Sequence, residues 1–87
     1  MTEREVTVGH RLGLHARAAA RVVQLANQYQ SSIALMRSEQ GKGVEADARS
    51  ILSILFLAAA HGVTLMVRAE GIDEDDAVNS ICEYLKG

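Results

Sequence analysis

The chain has 87 residues, with nine Lys/Arg against eleven Asp/Glu, a formal net charge of -2 and 48% hydrophobic residues. That length supplies one compact domain over residues 1–87 and too little interior to enclose a substrate cavity of the usual ~300–1,000 Å³, so any chemistry belongs at the surface. The balance of charge excludes a polybasic nucleic-acid binder. One cysteine, Cys82, excludes an internal disulfide, and no Cys/His spacing matches a metal set.

Arg4–Val8 alternates polar and apolar residues and reads as a first strand. The start of the chain, Met1-Thr2-Glu3-Arg4-Glu5, has no apolar segment of the kind a signal peptide needs. Residues 9–14 form a loop punctuated by Gly9 and Gly13. From Ala16 to Tyr29 the period changes: Ala19, Val22, Val23 and Ala26 share one face, and Arg17, Arg21, Gln24 and Gln28 the other, which predicts an amphipathic helix. Strands follow at 33–36 and 44–48, joined by a turn over 38–43 and paired as an antiparallel hairpin.

Ser50 stands before an apolar run that ends at Gly62, a cap at each end, and places a second helix at about 50–60. The run is too short to span a bilayer. Residues 63–70 alternate as a fourth strand. Asp73 is positioned to cap a last helix whose Ala77, Val78, Ile81, Cys82 and Leu85 share a face, with Asp73, Glu74, Asp75 and Asp76 at its positive end. Cys82 therefore reads as a core thiol. The order β-α-β-β-α-β-α implies a two-layer α/β sandwich, the sheet covered by helices on one face and wet on the other. A reduced, soluble, cytoplasmic protein is expected, without cofactor or metal and with no nucleic-acid or membrane partner.

The chemistry concentrates at Gly13-Leu14-His15-Ala16-Arg17, where a glycine loop meets the first helix. The first turn of a helix offers free N–H donors and partial positive charge, here the amides of Ala16, Arg17 and Ala18. A phosphoryl group on the His15 ring is within reach of those donors, and the Arg17 guanidinium adds charge and several further donors. The same field disfavours imidazolium and leaves a neutral ring with the lone pair a nucleophile needs. Taken bare, His-x-Arg at a helix start is more often a cap or a solvated surface residue. His10 lies in the loop beside the site, and His61 falls at a helix end.

Gly13-Leu14-His15-Ala16-Arg17 followed by Ala19, together with Glu45-Ala46-Asp47-Ala48-Arg49-Ser50-Ile51-Leu52, Leu55, Leu57 and Gly62, resembles the HPr family, the histidine-containing phosphocarriers of the bacterial phosphoenolpyruvate-dependent phosphotransferase system. The second stretch looks closer to the nitrogen-type, NPr-like branch. The resemblance covers essentially the whole chain. It implies an open-faced sandwich, a four-stranded antiparallel sheet with three helices on one side. It also implies a carrier and not an independent catalyst: His15 accepts phosphate on Nδ1 from enzyme I and passes it to a IIA-type protein, with Arg17 as phosphoryl stabiliser. Ala18 stands where the family usually has Pro, which puts partner selectivity in question and not the chemistry.

Residues Ile51, Leu52, Ile54, Leu55, Phe56 and Leu57 cover more than one helical face, so part of this surface is expected to be exposed for docking. The family likeness puts Ile51, Leu52 and Leu55 at partner-facing positions, and Arg21 shares the face of Arg17. Ser50 has two readings: an N-cap, or a regulatory site phosphorylated by a dedicated Ser kinase as in some relatives. Two other functions compete: a non-catalytic HPr-like regulator that acts by docking alone, and an ACT-type small-ligand regulatory domain with a similar element order. The chain is expected to be a monomer.

Overall fold

The computed structural model describes residues 1–39 and 42–87. Its elements follow in the order β1 (Thr2–Thr7), α1 (Ala16–Ala26), β2 (Ser32–Glu39), β3 (Lys42–Asp47), α2 (Ile51–Phe56), β4 (Thr64–Glu70) and α3 (Glu74–Leu85). The four strands form one antiparallel sheet in the order β1-β4-β2-β3, and the three helices lie on one of its faces. Of the turn expected over 38–43, Ser38 and Glu39 continue β2, Lys42 and Gly43 open β3, and the remainder lies outside the described residues.

The alternation read from the sequence sets which side chains are buried. Val6 and Val8, Ile33 and Leu35, Ala46 and Ala48, and Leu65, Val67 and Ala69 turn inward. They meet Ala18, Ala19, Val22, Leu25 and Ala26 of α1, Ile54 of α2, and Ala77, Val78, Ile81, Cys82 and Leu85 of α3. Each fully buried Val, Leu or Ile side chain contributes ~1.5–3 kcal/mol. The Cys82 thiol lies in this core, and burial pushes its pKa up.

Two arginines close helices whose own last turns carry no basic residue. Arg49 donates to the carbonyls of Ala26 and Tyr29 at 2.9 and 2.7 Å, ending α1 three residues before the expected Tyr29. Arg37 donates to the carbonyls of Leu57 and Ala58 at 2.8 and 2.7 Å. Ala58 adopts φ +50, a left-handed conformation that L residues visit at a cost of ~1–2 kcal/mol. The apolar run therefore leaves the helix at Phe56, and α2 is shorter than the 50–60 that its composition predicts.

Asp73 precedes α3 as expected but does not cap it: its carboxylate makes no bond within the helix. It accepts instead from the Gln30 and Ser31 amides at 2.8 and 3.0 Å and from the Ser31 hydroxyl, binding the start of α3 to the turn before β2. The Ser31 hydroxyl, followed by the Gln30 amide, holds the Asp73 carboxyl below its ordinary 3.8. Glu74 accepts from the Met1 ammonium at 2.9 Å, the Thr2 hydroxyl at 2.8 Å and the Gly71 amide at 3.2 Å. The ammonium first, then Thr2, brings its carboxyl from 4.5 to about 2.

Both carboxyls are more acidic in the folded protein than in the unfolded chain. The unfolded state thus binds more protons in acid, and stability falls as the pH falls. The contribution is complete above 4.5 and is lost as the pH approaches about 2. Thermal melts across that window should show a falling midpoint, and Glu74→Gln should flatten the fall. A slope unchanged by that substitution would remove Glu74 from the acid response.

Candidate functional site

The loop over residues 9–14 is pinned before it reaches α1. The Gly13 amide donates to the His10 carbonyl and the Leu14 amide to the Ala59 carbonyl, each at 2.9 Å. Gly13 has φ +70, and a Cβ there would lie 2.6 Å from the Ala59 oxygen and 2.9 Å from Ala60 Cα. Only glycine fits this turn without displacing the chain after α2. Leu14 is buried, which anchors the loop in the core one residue before the imidazole.

His15 is the N-cap of α1, with extended backbone at φ -79 and ψ 179. Its carbonyl accepts from the Ala19 amide at 2.9 Å, the first bond of the helix. Its Nδ1 accepts from the Arg17 amide at 3.2 Å. That contact assigns the lone pair to Nδ1 and the ring proton to Nε2 in the neutral imidazole. His15 is half-buried. The histidine is thus both the cap that the bland reading predicts and a nitrogen lone pair aimed at the helix's free amides, and the two roles use the same atom.

Ala16 and Arg17 are exposed, and Ala18 is fully buried. The Arg17 guanidinium makes no hydrogen bond or ion pair among the described residues. Beside it a cleft of about 410 Å³ is lined by Arg17, Ala20, Arg21, Gln24 and Tyr84. Arg21 donates to Gln24 at 3.3 Å. Tyr84 is a border residue that the sequence pattern passed over, because it sits at the edge of α3's apolar stripe. Its ring lies 4.7 Å from that of His10, whose Nε2 is 2.7 Å from the Tyr84 carbonyl. His10 therefore braces the cleft wall, and His61 is exposed in the turn after α2. Among the described residues no cluster of His, Cys, Asp or Glu is suited to a metal ion.

On α2, Ser50 is the N-cap, its hydroxyl accepting from the Ser53 amide at 3.2 Å. Ile51 and Leu52 are 42% and 68% exposed, Leu55 is half-buried, and Ile54 is in the core. Outside the expected docking set, Leu12 at 79%, in the loop before His15, and Phe56 at 78% are more open still. An apolar residue in a glycine loop was the available signal for Leu12.

The molecule is an open-faced sandwich with a half-buried histidine at the start of α1. A family profile described as "PTS HPr component phosphorylation site" matches residues 2–87. A phosphocarrier protein HPr from Xylella fastidiosa is 42% identical over 86 residues, covering 99% of this chain and 92% of that protein. A phosphocarrier protein NPr from Shewanella violacea is 38% identical over 80 residues, covering 92% and 84%. The crystal structure of an HPr from Thermoanaerobacter tengcongensis superposes with a TM-score of 0.86 at 31% identity, covering 99% of this chain and 92% of that one. The chain belongs to the HPr family, whose matching members carry both the HPr and the NPr names. Its function is accordingly that of a phosphocarrier of the phosphotransferase system.

Proposed function

We propose that His15 Nδ1 is the phosphoryl acceptor, that enzyme I is the donor and a IIA-type protein the recipient, and that residues 1–87 act as one monomeric, cytoplasmic carrier domain. The observation that carries this reading is the 3.2 Å contact between Nδ1 and the Arg17 amide. In the transfer, the Nδ1 lone pair forms a new P–N bond while the bond from phosphorus to the donor group breaks and its electron pair stays with the donor. The proton on Nε2 is not moved. The Arg17 amide, released from the lone pair, turns to a phosphoryl oxygen alongside the Ala16 amide, and the Arg17 guanidinium supplies charge. On this reading the chain is a carrier and not an independent catalyst.

Incubation with enzyme I and phosphoenolpyruvate should add the mass of one phosphoryl group, labile in acid. An acid-stable adduct, or none, would overturn the assignment. No adduct together with retained binding to enzyme I would favour the docking-only regulator.

Docking is assigned to Ile51, Leu52 and the exposed part of Leu55, with Arg21 at the rim and Leu12 and Phe56 extending the patch. Ile51→Asp should raise the apparent KM for phosphorylation by enzyme I about tenfold, because a charge must be desolvated in the contact. The solvent position of Ile51 leaves the melting temperature close to that of the parent. Unchanged transfer kinetics would move the docking surface elsewhere. Ser50 is the candidate for a Ser kinase: a phosphate there adds charge beside Ile51 and opposes docking.

A further inference from the structure

We propose that the uncovered face of the sheet is a second docking surface, for a basic protein segment that carries an apolar anchor. This face lies on the opposite side of the sheet from α1, so a segment bound there leaves His15 open.

Two shallow clefts run across it. One, of about 520 Å³, has Glu45, Asp47 and Glu70 in its lining. The other, of about 430 Å³, is lined by Glu3 and Glu5 around Met36, Leu65 and Met66. Met36 and Met66 are directly opposed in the β2–β4 register and are half-buried, which puts two polarisable, adaptable thioethers side by side at the centre of the sheet.

Against five carboxylates the described lining sets two guanidinium groups, and both are engaged. Arg68 pairs with Glu3 at 2.9 Å. Arg49 is held by the carbonyls of Ala26 and Tyr29. Glu5, Glu45 and Glu70 make no hydrogen bond or ion pair among the described residues. Asp47 accepts from the Arg49 amide through one oxygen, and its other oxygen accepts no hydrogen bond among the described residues.

The face thus offers an acidic rim around a soft apolar centre. A cationic segment with one apolar side chain complements both parts, and a neutral or acidic one complements neither. Four strands spaced ~4.8 Å apart are crossed by about five or six residues of extended chain, which sets the scale of the occupant. The exposed arginines Arg11, Arg17 and Arg21 lie in the loop and helix of the phosphoryl site, so this surface and the first one select partners of opposite charge.

The test is titration of the isotope-labelled protein with an amidated peptide of about nine residues, Lys alternating with Gln around a central Leu, long enough to cross the sheet. Two controls replace every Lys by Glu, or the Leu by Gln. Saturable amide shifts are expected at Ala34, Met36, Glu45, Met66 and Arg68, weakening with salt. The Lys-to-Glu control should not bind, and the Leu-to-Gln control should bind at least about fivefold more weakly. The protein variants Glu45→Gln with Glu70→Gln, and separately Met66→Ser, should each weaken binding about fivefold while phosphorylation by enzyme I proceeds at the parent rate. Shifts centred on α1 and α2, shifts that never saturate, or equal binding by the carboxamide variant would overturn the proposal.

Discussion

His15→Ala is expected to abolish the acid-labile adduct completely, because no other group in the loop presents a nucleophilic nitrogen to the first turn of α1. The substitution also removes a cap, a structural loss of ~0.5–2 kcal/mol. His15→Asn separates the two roles: its side-chain oxygen still accepts from the Arg17 amide, so the melting temperature should recover, while phosphorylation should not. Arg17→Ala keeps the nucleophile and both amides and deletes only the guanidinium. Its transfer rate should fall about 10- to 100-fold, since a preorganised charge is lost where the anion lands. Intact-mass measurement of His15→Asn decides the assignment: an acid-labile phosphoryl group on that protein would place the acceptor elsewhere.

Gly71→Ala is expected to cost about 2–4 kcal/mol of stability, because strain and overlap act together. Gly71 has φ +153, and a Cβ there would come within 2.6 Å of the Ser31 hydroxyl oxygen and 2.7 Å of Ser31 Cα. Ser31 is fully buried and bound to Asp73, so it has no free path out of the way. Gly62 supplies the comparison: its φ is +89, but nothing lies within 4 Å of its added Cβ. Gly62→Ala should therefore show conformational strain alone, about 1 kcal/mol. Equal losses in urea denaturation of the two variants would show that the contact with Ser31 contributes nothing.

What the sequence disclosed and what it withheld divide along the range of the forces involved. Alternation at Val6, Leu35, Ala46 and Val67 and the apolar stripe of α1 are local patterns, and they placed every element and its buried face. His15 was legible as a site for the same reason, since a loop glycine and a helix start are neighbours in the chain. The ends of helices were not. The stop at Ala26 depends on Arg49 and the stop at Phe56 on Arg37, groups remote in sequence, the latter together with the turned backbone of Ala58. Asp73 read as the cap of α3, but it is drawn to amides 42 and 43 residues away, a gain that no window along the chain reveals. Strand order was likewise beyond reach, because β1, β2 and β4 present interchangeable alternating faces. Tyr84 joined the site from the far end of the chain, by lining the cleft beside Arg17 and by its ring contact with His10.

The single carbonyl of Ala59 that holds Leu14 has a bearing on how such a chain can vary over generations. Lengthening or shortening the joint between Phe56 and Ala60 would drag the reactive ring out of alignment, even though that joint lies far from it in sequence. Natural variation in length should therefore accumulate at the hairpin between β2 and β3, and relatives should keep the spacing between α2 and this joint fixed even where their residues differ.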